Sequence, residues 1–102
     1  MIKIHLFCNA GMSTSHLVEK MKKAAYSSGI ECEIEAFPAS EMEHKIEGID
    51  VALLGPQVGY LLKKAEVICS EKEVPVSVIP MQDYGLCNGE SVLNFAIKLA
   101  DK

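Results

Sequence analysis

The sequence predicts a three-layer α/β domain in which a four-stranded parallel sheet, ordered 2-1-3-4, carries helices on both faces. Two observations lead there. Short apolar runs alternate with amphipathic segments along all 102 residues, the pattern of parallel strands joined by helical crossovers. The runs also differ in character. One is apolar throughout and belongs in the middle of a sheet, whereas two others carry a wet face or flanking prolines and belong at its edges.

Taken in order, Ile2 to Phe7 reads as the first strand, followed by a turn of small and polar residues, Cys8 to Ser15. A helix runs from about Ser15 to Ser28, with Leu17, Val18, Met21, Ala24 and Ala25 on one face and Gly29 as its stop. From Glu31 to Phe37 the pattern alternates: Glu31, Glu33 and Glu35 face one way, Cys32, Ile34 and Ala36 the other. Ser40 and Glu43 have the spacing of a capping box for a short helix ending at Gly48. Val51 to Leu54 is the wholly apolar strand. Pro56 can open the next helix, where Val58, Leu61, Leu62, Ala65, Ile68 and Cys69 repeat at helical spacing. Val76 to Ile79 lies between Pro75 and Pro80, which favours an edge. A loop is expected over Met81 to Cys87. Asn88 then caps a last helix that turns Val92, Leu93, Ala96, Ile97 and Ala100 inward. With no repeat or linker, residues 1–102 form one domain.

With the first and third strands central, the chain reverses direction between them. Ligands in such sheets bind outside the strand carboxyl ends at that switch point. The turns there are Cys8 to Ser15 and Gly55 to Gln57, so topology alone directs attention to Cys8.

The net charge is -4 and the pI about 5.3, which argues against nucleic acid or an anionic membrane as the main partner. The apolar stretches are too short and too interrupted for a signal peptide or a membrane span, so a cytoplasmic location without membrane insertion is expected. Four cysteines, Cys8, Cys32, Cys69 and Cys87, show no metal spacing and read as free thiols. His5 and His44 carry no ligand spacing either, and no metal or cofactor is implied. All ten basic residues are lysine.

The turn reads Cys8-Asn9-Ala10-Gly11-Met12-Ser13-Thr14-Ser15. A strand-to-helix turn of this kind can aim successive backbone N–H groups at one point, and the helix N-terminus adds a favourable potential for an anion. The same donors favour the thiolate of a cysteine at its start. A phosphoryl group on that sulfur would sit among the amides. The plain alternative is a buried cysteine ending a strand. Position, glycine and hydroxyls together favour the functional reading. The turn is not a Walker A loop, because no Gly-Lys-Ser/Thr follows.

The stretch LFCNAGMSTSHLVEKM, the string EAFP at Glu35 to Pro38, LLGPQVGYLL at Leu53 to Leu62, and Tyr84-Gly85 resemble enzyme IIB of the lactose/cellobiose/chitobiose class of sugar phosphotransferase systems. The resemblance spans essentially the whole chain. It implies that Cys8 takes a phosphoryl group from a phosphohistidine of enzyme IIA and gives it to a sugar bound by the membrane permease, enzyme IIC. It also implies that Asn9, Ala10, Gly11, Met12, Ser13, Thr14 and Ser15 form the phosphate loop, with Gln57 and Tyr60 beside it. The loop is similar as well to that of low-molecular-weight tyrosine phosphatases, which makes a cysteine phosphatase the alternative. In that pattern an arginine stands where Thr14 stands here, and this chain has no arginine. The clamp on a transition-state phosphoryl group is therefore missing. An arginine placed at position 14 is expected to leave the fold intact. A third reading is a non-catalytic anion- or nucleotide-binding module on a flavodoxin-like sheet.

For the remaining candidates the residues decide less. Gln57 can donate to a phosphate oxygen or a partner, or cap its helix. Tyr60 is expected to pack and make one hydrogen bond. Asp83 reads as a solvated loop carboxylate and Cys87 as a spare loop cysteine. Lys20, Lys22, Lys23, Lys63 and Lys64 read as solvated helix faces.

Overall fold

The computed structural model describes residues 1–9 and 11–101, and of residues 11–13 the backbone alone. Strand β1 (Ile2–Cys8) lies between β2 (Cys32–Pro38) and β3 (Val51–Leu54), and β4 (Val76–Val78) pairs with the far side of β3. All pairings are parallel and the order is β2-β1-β3-β4, as the apolar patterning predicts. The register sets Leu6 between Ala36 and Leu53, and Phe7 between Phe37 and Leu54. At the entry of β1 and β3 two bonds close reciprocally: Lys3 N–H donates to Asp50 Oδ2 at 2.8 Å, and Asp50 N–H donates to the Lys3 carbonyl at 2.9 Å.

Successive side chains of a strand point to opposite faces, so the central strands feed two cores. Ile4, Leu6, Val51 and Leu53 pack under α1 (Gly11–Ser28) and α4 (Gly89–Ala100), together with Leu17, Met21, Val92 and Leu93. Phe7, Ala52 and Leu54 pack on the other face with Ala65 and Cys69 of α2 (Leu62–Ser70). These are the expected three layers. Edge strand β2 keeps Glu33 and Glu35 in water and buries Ile34.

Four local expectations change. Helix α1 begins at Gly11 rather than near Ser15, so residues 11–15 are helical and only Asn9 and Ala10 connect it to β1; Ala10 lies outside the described residues. Nothing between Gly11 and Ser15 removes a backbone donor as proline would, and the helix extends toward the strand. The capping box does not form. Ala39–His44 is a 3-10 helix with Pro38 in the capping position and no side-chain cap. It starts one residue before Ser40, which therefore lies inside the first turn. Pro56 opens a 3-10 helix, Pro56–Leu61, kinked at Val58 before α2 follows. The segment expected as a loop contains a short helix, α3 (Met81–Gly85), because Pro80 presets the backbone ahead of it. The last helix is capped by Asn88 as expected, its Oδ1 accepting from Ser91 N–H at 3.1 Å.

Candidate active site

Cys8 is the last residue of β1, at the carboxyl edge of the sheet, and is 1% exposed. Beside it the chain leaves β3 through Gly55, whose N–H donates to the Phe7 carbonyl at 2.9 Å. A β-carbon built on Gly55 would stand 3.5 Å from Cys8 Cβ, so the two switch-point turns lie side by side. Only a glycine leaves room there for the carboxamide of Gln57, whose Oε1 lies 2.7 Å from that same position. Cys8 and Asn9 also line a groove of about 310 Å³ on the α2 side of the sheet. Its walls carry Ser40, Met42 and Glu43 on one side and Val58, Tyr60 and Lys64 on the other.

Helix α1 opens three residues after Cys8, which places the positive end of its dipole next to the sulfur-bearing residue. The phosphate loop expected at Asn9 to Ser15 is therefore mostly a helix N-terminus. Within it Thr14 is 1% exposed and its Oγ1 lies 3.0 Å from the hydroxyl of Tyr84. Gln57 Nε2 donates to that hydroxyl at 3.1 Å. Gln57 thus caps no helix, and its carboxamide bridges toward α3. Tyr60 is 80% exposed and stands on the rim of the groove instead of packing. It lies in the kinked 3-10 helix, one residue before that helix ends at Leu61.

Asp83 is half-buried and accepts from Ser91 Oγ at 2.9 Å, which ties α3 to α4. Cys87 is half-buried, packs on the α1/α4 core and has a positive φ of 53°. Cys69 is buried in the α2 core, where desolvation pushes its thiol up to about 11; burial also raises the Cys32 thiol. All four cysteines are free thiols. No group of three or more His, Cys, Asp or Glu residues with metal-binding geometry occurs among the described residues, and no described helix is long and apolar enough to cross a membrane.

The residue that sequence reasoning undervalued is Tyr84, quoted only as part of a matching string. Its signal was weak, since the segment around it lacks helical periodicity.

A doubly covered parallel sheet with a cysteine ending its central strand, at the switch point and against a helix N-terminus, defines a three-layer α/β protein with a thiol where ligands of such sheets bind. Residues 3–95 match the family described as PTS system, Lactose/Cellobiose specific IIB subunit, and the chain belongs to that family. It is 45% identical over 105 aligned positions, with 94% of each chain covered, to the galactose-specific EIIB component of one Lactococcus lactis strain. The same figures hold for the cellobiose-specific EIIB component of another. The oligo-beta-mannoside-specific EIIB component of Bacillus subtilis is 37% identical, covering 97% of this chain and 96% of its own. Among solved structures, the cellobiose-specific IIB component from Borrelia burgdorferi superposes with a TM-score of 0.81 at 40% identity, over 98% and 92% of the two chains. The lactose-specific IIB component domain from Streptococcus pneumoniae gives 0.86 at 13% identity over 96% of each, a likeness of fold. Membership in the family makes the chain a component of a sugar phosphotransferase system.

Proposed function

We propose that Cys8 is the phosphoryl carrier. It takes the group from a phosphohistidine of enzyme IIA and delivers it to a sugar held by the membrane permease, enzyme IIC. In the first step a sulfur–phosphorus bond forms as the histidine nitrogen–phosphorus bond breaks. In the second, a sugar hydroxyl attacks phosphorus, sulfur leaves as thiolate, and the hydroxyl proton passes to solvent. The backbone N–H groups and dipole at the start of α1 stabilise the phosphoryl charge, and the chain works on the cytoplasmic side. Relatives named for cellobiose and oligo-beta-mannoside support a β-linked disaccharide such as cellobiose, lactose or chitobiose as acceptor.

The observation that carries this reading is the position of Cys8, which joins the end of the central strand, the Gly55 turn and the start of α1. Intact-mass measurement after incubation with phosphoenolpyruvate, the general phosphotransferase proteins and enzyme IIA tests it. The unmodified protein and the variants C32S, C69S and C87S should each gain one phosphate, and C8S none. Loading of C8S at the normal level would overturn the assignment.

A further inference from the structure

Three segments converge on one oxygen at the carboxyl edge of the sheet. Thr14 comes from α1, Gln57 from the turn after β3, and Tyr84 from α3 beyond β4. The Tyr84 hydroxyl is the junction, 3.0 Å from Thr14 Oγ1 and 3.1 Å from Gln57 Nε2. The first two segments flank the switch point and border Cys8. The third comes from beyond β4, and its hydroxyl ties the other two together.

The donors and acceptors fit this linkage. The Gln57 amide can only donate from Nε2, so it occupies one lone pair of the Tyr84 oxygen. The phenol retains its own hydrogen and a second lone pair, and can meet the Thr14 hydroxyl as donor or as acceptor. Thr14 is the buried polar side chain among the described residues, and in such a place a hydroxyl without a partner is costly. Tyr84 is itself held firmly. Its ring packs on the α1/α4 core, Tyr84 N–H donates to the Pro80 carbonyl at 3.0 Å, and the adjacent Asp83 is fixed by Ser91. An anchored phenol can impose a position on the helix start that an exposed amide alone cannot.

We propose that Tyr84 is a positioning residue for phosphoryl transfer at Cys8. Acting through Thr14, it holds the opening turns of α1, and with them the amides that meet the phosphoryl group, in register with the Gly55–Gln57 turn. This rests on Cys8 being the carrier. Because in-line transfer tolerates little misplacement, losing the linkage should slow the chemical step while leaving partner binding alone.

The test is the Tyr84→Phe protein, which loses one oxygen and keeps the ring in the core. Single-turnover transfer from phosphorylated enzyme IIA, with partner concentration varied, separates the maximal rate from the half-saturating concentration. Y84F should lose on the order of tenfold or more in maximal rate with unchanged half-saturation, at a temperature where circular dichroism shows it folded. Thr14→Val should show the same loss, Thr14→Ser should recover the rate, and Y84F combined with T14V should be no slower than either alone. Wild-type maximal rate in Y84F, a change in half-saturation only, or strict additivity with T14V would each overturn the inference. The unmodified protein and C8S, run alongside, separate this from the parent reading. Loading of the former and not the latter leaves only the role of Tyr84 at stake, and no loading of either removes both.

Discussion

Gly89 brings its α-carbon against the main chain of Lys20. A β-carbon there would lie 2.6 Å from the Lys20 carbonyl oxygen and against its carbonyl carbon. The atoms in the way are backbone, so α4 would have to move off α1. Gly89→Ala should therefore cost about 1–3 kcal/mol, read as a lower denaturation midpoint with unchanged slope. Gly85→Ala is the control. A β-carbon there meets nothing within 4 Å, so its effect should be neutral or slightly stabilising.

Gly55→Ala should behave differently, because its obstacle is the end of a flexible side chain, Gln57 Oε1 at 2.7 Å. The backbone at Gly55 is ordinary extended chain (φ −64°), which alanine adopts freely. Stability should change by less than about 1 kcal/mol, while the Gln57 carboxamide swings away and releases Tyr84. The side-chain amide resonances of Gln57 report this. A midpoint loss as large as that of Gly89→Ala would show that Gln57 cannot move.

The buried thiol of Cys69 predicts an alkaline limb in the stability profile. Its value in the fold is raised from 9.0 to about 11 by desolvation, so the neutral form is favoured in the native state. That contribution is complete below pH 9 and declines as pH rises through 9 to about 11, where the unfolded chain gains by ionising first. The part due to this thiol is on the order of 2–3 kcal/mol. Cys69→Ala, compared with the parent at pH 8 and pH 10.5, should lose less stability over that interval. Equal losses in the two proteins would assign the alkaline limb to other groups.

Phosphate bound to Cys8 should be long-lived. No arginine exists to stabilise attack by water, and the loss of one strong donor of that kind costs on the order of a hundredfold to a thousandfold. The isolated phosphoprotein should decay slowly, and turnover of p-nitrophenyl phosphate should not exceed that of C8S. Rapid Cys8-dependent hydrolysis would favour a phosphatase. The shortcut of installing the missing arginine is closed. Thr14 is 1% exposed and bonded to Tyr84, so Thr14→Arg should lose several kcal/mol instead of leaving the fold intact. Thermal denaturation of that variant measures the loss.

The fold was legible because its signals are local and repeated. Four apolar residues in a row at Val51–Leu54 mark a strand covered on both faces, and glutamates alternating along Glu31 to Glu35 mark an edge. Cys8 was legible for the same reason, since strand order alone directs attention to the ends of β1 and β3. What escaped was decided by geometry between segments. The start of α1 at Gly11, the 3-10 helices after Pro38 and Gly55, and the meeting of Thr14 with Tyr84 across seventy positions depend on how segments dock. Residue periodicity carries no record of that docking.

The place of β1 in the middle of the sheet has a consequence for biosynthesis. During synthesis β1 emerges before both of its partners; β2 follows it closely, but its other side must stay open until residues near Val51 emerge. A nascent chain halted before that point offers Ile4, Leu6 and Phe7 along an unpaired strand, a surface suited to joining another incomplete chain. The reciprocal bonds between Lys3 and Asp50 would be the first on that side to close, just ahead of β3. Truncations ending between Gly48 and Asp50 should therefore be the most aggregation-prone lengths of this protein, and those carrying β3 and its following turn markedly less so.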